Sequence, residues 1–375
     1  MRNKLFIYIF GIGLTATIYY NGINDSNVKL LAMGCLGVCF VAALFKRNNV
    51  PRLKIFKSWT IWCLLIGVVN FLYGISAVET SIIMPLMVAY TAYKIVDIDE
   101  DAIVKYMLPI CLFSAFSALY SVYKGLGGFE ITSFDDNEIV KNQIGAAFAT
   151  VAILSSIFSI DKNLKKWQRI VYIVISVLNI YPALFFSCRT ALLCYFLCVG
   201  TILFVVYRFK ALLFIPILVF AVVFVGGSGL QQLLFDSIVG ERDTSDADAL
   251  TSGRITHAML SIDYFIRHPL MGFYGSGDSY ATMPPNAHIF LLYRLTKWGI
   301  LGSIPFIALY ISIFKIFICC IKDRYILLIG GLMIAFIESF AEYAPPFGPG
   351  SCFVIVFAFI GVYLRKAVLS NKRTF

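Results

Sequence analysis

Residues 58–78 read SWTIWCLLIGVVNFLYGISAV, 21 positions without a charged side chain. An α-helix rises about 1.5 Å per residue, so this run covers the roughly 30 Å hydrocarbon core of a bilayer. It has company. Residues 5–24 are charge-free over 20 positions, 142–160 over 19 and 211–235 over 25. Across all 375 residues, 60% are hydrophobic and 14% charged. Soluble domains carry roughly 45–50% apolar and about 25% charged residues, so a soluble globular chain is excluded, and so is a disordered one. Transmembrane β-barrels alternate polar and apolar residues and do not show such long apolar runs. The expected fold is an all-α polytopic membrane protein.

The pattern predicts twelve spans, at 4–22, 28–45, 58–74, 79–96, 105–123, 142–160, 170–187, 190–207, 211–227, 299–320, 325–343 and 351–367. Lys and Arg collect in alternate loops. With the N-terminus inside, 22 of the 31 basic residues fall on the cytoplasmic side and nine outside. The resulting balance is +16 inside against −6 outside. This is the positive-inside asymmetry, so the net charge of +10 reads as topology and not as nucleic-acid binding. Both termini are expected in the cytoplasm. The first apolar run is too long for a secretory h-region and lacks an A-x-A site, so no cleaved signal is expected. The ten cysteines lie in or at the ends of the spans, which points to small apolar fillers and not to a disulfide framework or zinc site. No G-x-x-x-x-G-K-[ST] motif is present, which argues against a P-loop ATPase.

One connection breaks the rule of short loops. Residues 228–287 stand outside between the ninth and tenth spans, and loops of this length are usually functional. The chain therefore divides into a bundle at 1–227, an extracytoplasmic catalytic loop at 228–298, and three last spans with a basic tail at 299–375. Within the loop, 253–267 places Ile255, Met259, Ile262, Phe265 and Ile266 at helical spacing. This predicts an amphipathic helix capped by Ser252 or Thr251 and ended by His268-Pro269, lying on the outer membrane surface or on the bundle. A Gly-rich turn, 269–277, follows. A second helix is predicted from Asn286, with Asn286 as its N-cap and His288 in its first turn. Run to Cys320 it would be about 50 Å long, so a break is expected near Gly299.

The outer face is net acidic, and its few cations are candidate anion ligands. Arg189 sits in Phe186-Ser187-Cys188-Arg189-Thr190-Ala191 between two apolar runs, where a cation is costly unless it faces a cavity or partner. Its planar donor fork suits a diphosphate. Arg254 opens the amphipathic helix, where the dipole disfavours a cation; an anionic ligand, or Asp246 or Asp248, would explain it. Arg267 and Arg294 are further outer cations. His288, in a first helical turn, would be kept neutral by the dipole and could serve as general base. His257 and His268 read as packing and capping residues. Glu338 is an intramembrane carboxylate, a functional-site candidate by position. Asp246-Ala247-Asp248 has D-x-D form, and no metal site is expected there.

These residues together resemble the O-antigen polymerase and O-antigen ligase superfamily of bacterial surface-polysaccharide assembly. Lys141-Asn142-Gln143-Ile144-Gly145 opens a span like that family's "(R/K)N-x-x-G/A" element. Ser187-Cys188-Arg189-Thr190-Ala191-Leu192-Leu193 is similar to its "S-x-S-R-T/G-A-x-L" turn, with cysteine for the second serine. Ser252-Gly253-Arg254 and Pro269-Leu270-Met271-Gly272 match its "S-G-R…P-L-x-G-x-G" loop. His288-x-x-x-Leu292-x-x-Leu295-x-x-x-Gly299-Ile300-Leu301-Gly302 matches "H-N-x-x-L-x-x-L-x-x-x-G-I-x-G". Ile289 stands in place of the usual asparagine, and His257 where tryptophan is frequent. The match covers roughly 135–305.

The resemblance implies a metal- and cofactor-independent glycosyltransferase of the bacterial plasma membrane. Its substrate would be a polyprenyl-diphosphate-linked saccharide, and a chain-length regulator and a flippase would be its partners. Arg189, Arg254 and His288 would be catalytic; Arg267, Asn142, Glu338 and Arg294 would contact diphosphate or sugar. The polymerase joins lipid-linked repeat units. The alternative, the ligase, moves the polymer to the lipid A core. A flippase or transporter is the rival class, and the chain shows no sign of the repeats expected of one.

Overall fold

The structure, a computed structural model, describes residues 2–23, 26–46, 51, 53–75, 80–95, 107–123, 138–185, 188–208, 253–278, 283–341 and 353–370. Among these residues the regular elements are all helical. The first eight helices are α1 (Arg2–Ile23), α2 (Ser26–Phe45), α3 (Lys54–Leu72), α4 (Thr80–Ile95), α5 (Met107–Tyr123), α6 (Glu138–Ile160), α7 (Lys166–Phe185) and α8 (Arg189–Tyr207). Then come α9 (Arg254–Arg267), α10 (Gly272–Ser276), α11 (Phe290–Asp323), α12 (Ile326–Glu338) and α13 (Val354–Leu369). A helix coincides with every expected span except 211–227, which lies outside the described residues.

Among the described residues, five stretches are long and apolar enough to cross a membrane: Asn27–Phe45, Lys54–Leu72, Lys166–Phe185, Arg189–Tyr207 and Phe290–Asp323. Their outward faces are apolar, with Phe45 79% and Phe71 82% exposed. Large exposed apolar surfaces are rare on soluble monomers, and against lipid tails they are the favoured arrangement. The chain is a helical membrane protein.

Inside this belt, α13 is buried on all sides from Val354 to Arg365. A helix apolar all round belongs at the centre of a bundle, and α4 packs along it. The remaining neighbours follow the chain: α1 on α2 and α5, α7 on α5 and α6, α8 on α6 and α12. Gly330 of α12 meets Ile153 and Ile157 of α6 and Ile202 of α8. At its other end, Glu338 lies close enough to Cys194 and Cys198 for its charge to act on both. So α12 runs antiparallel to α8, and residues 338–341 share one end of the bundle with Arg189. Gly145 joins the same end, since a Cβ there would lie 2.7 Å from that of Cys188.

α11 spans 34 residues and is broken at Gly299, with φ 66° and ψ −175°. The expected break is where the sequence placed it. Its cause is a backbone clamp built by 269–272. Breaking a helix frees the N–H groups of the turn that follows. Here Ile300 N donates to Pro269 O at 2.8 Å and Leu301 N to Leu270 O at 3.2 Å. Gly272 (φ +63) backs directly onto Gly299, so that a Cβ would come 2.2 Å from Gly299 N. The 269–272 segment is thus no loose turn. Tyr73 at the end of α3 seals the joint, its hydroxyl donating to Trp298 O at 3.2 Å, while Trp298 Nε1 donates to Asn70 Oδ1 at 3.1 Å.

Candidate functional site

α9 lies on the first segment of α11. Its Arg254, His257, Ser261, Tyr264 and His268 recur at three- and four-residue spacing, so they form one stripe. Ser261 and Tyr264 on that stripe are buried, while Ile255, Met259, Ile262 and Ile266 are exposed. The helix therefore turns its polar face to the protein and its apolar face outward, inverting a water-soluble helix and fitting one seated against lipid. Ser261 Oγ donates to Pro285 O at 3.1 Å, and Thr296 Oγ1 contacts Ser261 O at 3.2 Å. His257 stacks on His288 with ring centroids 5.9 Å apart and an interplanar angle of 14°. The His257 Nδ1 is buried and has no hydrogen-bond partner among the described residues.

One turn before His257, Arg254 donates through Nη1 to Ala341 O at 2.5 Å. Two residues after His288, Phe290 N donates to Ser339 O at 2.9 Å. The segment that ends α12 thus receives both arms of the site. Its carbonyls are the negative end of a helix dipole, a favourable place for a guanidinium. Arg254, His257 and His288 are brought to one place at this end of the bundle, where Glu338, 2% exposed, closes α12.

Two cations fill the wall behind. Arg294 is 5% exposed, its guanidinium 4.3 Å from the Phe306 ring centroid, 4.7 Å from Trp298, and 5.5 Å from both Phe290 and Tyr293. Cation–π attraction of this kind is stronger once desolvated. Lys297 is wholly buried; its Nζ donates to Pro284 O at 2.8 Å and lies 5.5 Å from the Phe273 ring.

Several expectations are corrected here. The helix of α11 begins at Phe290, not Asn286; its N-cap is Ile289, with φ −134° and ψ 118° and no side-chain cap. His288 thus precedes the helix and does not lie in its first turn. Tertiary contacts hold residues 284–289 out of the helix. Lys297 and Ser261 take the Pro284 and Pro285 carbonyls, Ala287 is buried, and Ser339 supplies the partner for the first helical N–H. Likewise, the N-cap of α9 is Gly253, with φ 75°, and not Ser252 or Thr251.

Arg189 opens α8 just after Cys188 and is partly buried; α8 packs on α12, whose C-terminal end bears the cluster. Asn142 is on the first turns of α6, its side chain outside the described residues, as are Asp246 and Asp248. Arg267 stands apart. It is 62% exposed and pairs with Asp263 at 2.5 Å, one turn away, which accounts for it without a ligand.

The stripe ends in a small polar knot. The Tyr264 hydroxyl donates to Asp278 Oδ2 at 2.6 Å, and His268 Nε2 is 3.7 Å from the same oxygen. The tyrosine hydroxyl holds the Asp278 carboxyl below the usual carboxylate range. Burial, and then the Asp278 partner, push the Tyr264 phenol up. Sequence reasoning missed His257 as a neighbour of His288, and its readable signal was the polar stripe it shares with Arg254.

No protein-family model matches the chain, and no curated protein matches it.

Proposed function

We propose that the protein is a membrane glycosyltransferase that polymerises polyprenyl-diphosphate-linked oligosaccharide repeat units at the outer face of the bacterial plasma membrane. In this reading twelve spans cross the bilayer and both termini are cytoplasmic. The observation that carries the proposal is the meeting of Arg254, His257 and His288 at the end of α12, beside a helix whose apolar face points outward. A lipid-borne substrate needs a site of this design, with an apolar seat for the lipid and polar groups at headgroup depth.

The chemistry follows from the residue types. The acceptor hydroxyl oxygen forms a bond to the anomeric carbon, and the bond from that carbon to the diphosphate oxygen breaks. His288 takes the hydroxyl proton as general base. The diphosphate leaves with the bonding electron pair, and Arg254 and Arg189 stabilise its charge. The Ala341 contact fixes the Arg254 guanidinium before substrate arrives. Glu338 and Arg294 shape the polar wall.

The test is purified protein with lipid-linked repeat units. Longer lipid-linked chains support the proposal. Transfer only onto a lipid A core would make it the ligase, and lipid movement without a new glycosidic bond would make it a flippase.

A further inference from the structure

His288 lies on a segment, 284–289, that precedes the helix of α11. The chain just ahead of the histidine offers few handles. Pro284 and Pro285 have no N–H, so only their carbonyls can anchor the backbone there. Both carbonyls are taken by side chains of other elements. Ser261 of α9 donates to Pro285 O at 3.1 Å, and Lys297 of α11 donates to Pro284 O at 2.8 Å. Beyond the histidine, Phe290 N donates to Ser339 O at 2.9 Å. The place of His288 is thus set by tethers from outside its own segment.

Lys297 is the costly tether. A serine hydroxyl holds a carbonyl cheaply, whereas a wholly buried lysine gives up the water around its ammonium. In return it has the Pro284 carbonyl and the face of the Phe273 ring, 5.5 Å away. Exchanging a buried cation for an apolar side chain of similar volume is often neutral or stabilising. Stability alone is therefore a poor reason for a lysine at this position, and reach is a better one. Its backbone belongs to the joint at Gly299: a Cβ on Gly272 would lie 2.8 Å from Lys297 C. Phe273, which covers the ammonium, follows Gly272 in the chain. One end of Lys297 is fixed by the clamp, and the other grips the chain four residues ahead of His288.

We infer that Lys297 is a positioning residue for His288, carrying the fixed geometry of the Gly299 joint to the histidine's segment through its hydrogen bond to the Pro284 carbonyl. The inference rests on the reading of His288 as the base in glycosyl transfer.

The test is a double-mutant cycle on the full chain in detergent with lipid-linked repeat units, using Lys297→Met, His288→Gln and the two together. Lys297→Met keeps most of the side chain and removes the donor. Single-turnover transfer at saturating donor slows at least about tenfold, towards the roughly 100-fold that a misplacement of about 1 Å costs, while donor binding stays within about twofold of the parent. In the His288→Gln background the same change adds no more than about twofold, because the group it places is gone, whereas a merely structural defect would multiply. Hydrogen exchange of the 286–290 amides quickens in Lys297→Met, and that of 300–320 stays as in the parent. Where Lys297→Met does not fold, Lys297→Gln, whose head is too short by a bond, takes its place in the cycle. Transfer slowed by less than about tenfold, or slowed equally in both backgrounds, overturns the inference. So does unchanged exchange at 286–290. If the parent forms no glycosidic bond, or His288→Gln transfers normally, the catalytic reading fails, and the exchange result alone then decides whether Lys297 places His288.

Discussion

Replacing Gly299 with alanine should cost this protein more than any substitution at an open glycine, and the size follows from local geometry. The residue holds φ 66° with ψ −175°, which an L side chain rarely adopts. Backbone held in such a region costs about 1–3 kcal/mol. A Cβ there would also lie 2.4 Å from Leu270 O and 2.5 Å from Gly272 N, neither of which is a flexible side-chain end. Overpacking of this kind adds about 1–3 kcal/mol. Parting the two strands of the clamp would sacrifice the Ile300–Pro269 and Leu301–Leu270 hydrogen bonds, each worth about 1 kcal/mol. The expected loss is about 2–6 kcal/mol if the clamp stays closed and about 3–5 kcal/mol if it parts, and Gly272→Ala, with its Cβ 2.2 Å from Gly299 N, should match it. Gly34→Ala is the comparison, since nothing lies within 4 Å of a Cβ there. The assay is thermal unfolding in detergent with membrane abundance measured alongside. Gly299→Ala should fall well below both the parent and Gly34→Ala. If it melted with Gly34→Ala, the clamp would not hold the break, and 269–272 would be an ordinary turn.

Other outcomes are expected. Arg189→Lys keeps the charge but replaces a two-pronged donor with a point charge, and polymer formation should be severely impaired; normal chains at normal rate would reduce Arg189 to an interfacial anchor. Arg267→Ala should leave polymer formation within about twofold, because an exposed i,i+4 pair is worth little, whereas Arg254→Ala should abolish most of it; equal effects would contradict the placement of the site. For the Tyr264–Asp278 knot the sign is that of a carboxylate with a lowered folded value. Its stabilisation is present above the ordinary carboxylate range of about 3.9 and is lost as pH falls through the lower folded value. Protection of 272–278 against hydrogen exchange, taken relative to the intrinsic rate at each pH, should therefore fall in acid, and Asp278→Asn should remove that step; an identical acid step in the variant would sink the assignment.

What the sequence revealed, and what it hid, divides along one physical line. Helices bounded by charge and length were legible, because hydrocarbon thickness and the cost of burying charge act on each segment alone. The break at Gly299 was legible for the same reason, as a helix from 286 to 320 would outrun the bilayer. The start of α11 was not. Asn286 is a good local cap, yet Pro284, Pro285 and Ala287 are committed to Lys297, Ser261 and the core, and the first helical N–H is met by Ser339, some 50 residues on. Long-range partners of that kind leave no local trace. The motif 269–272 was visible as glycine-rich, and its role as a clamp depends on its meeting Gly299. Arg254 was read as a cation in need of an anion; its seat on the Ala341 carbonyl belongs to another helix.

In the proposed function, His288 acts on a proton during glycosyl transfer from a lipid diphosphate. The most direct measurement is single-turnover transfer by His288→Gln in detergent at saturating lipid-linked donor, set beside donor binding by the same protein. Donor binding is expected to stay close to that of the parent and transfer to slow by at least about 100-fold, the lower end of general-base contributions. Transfer slowed only a few-fold, or a defect lying wholly in donor binding, would contradict it and leave the chemistry to the arginines.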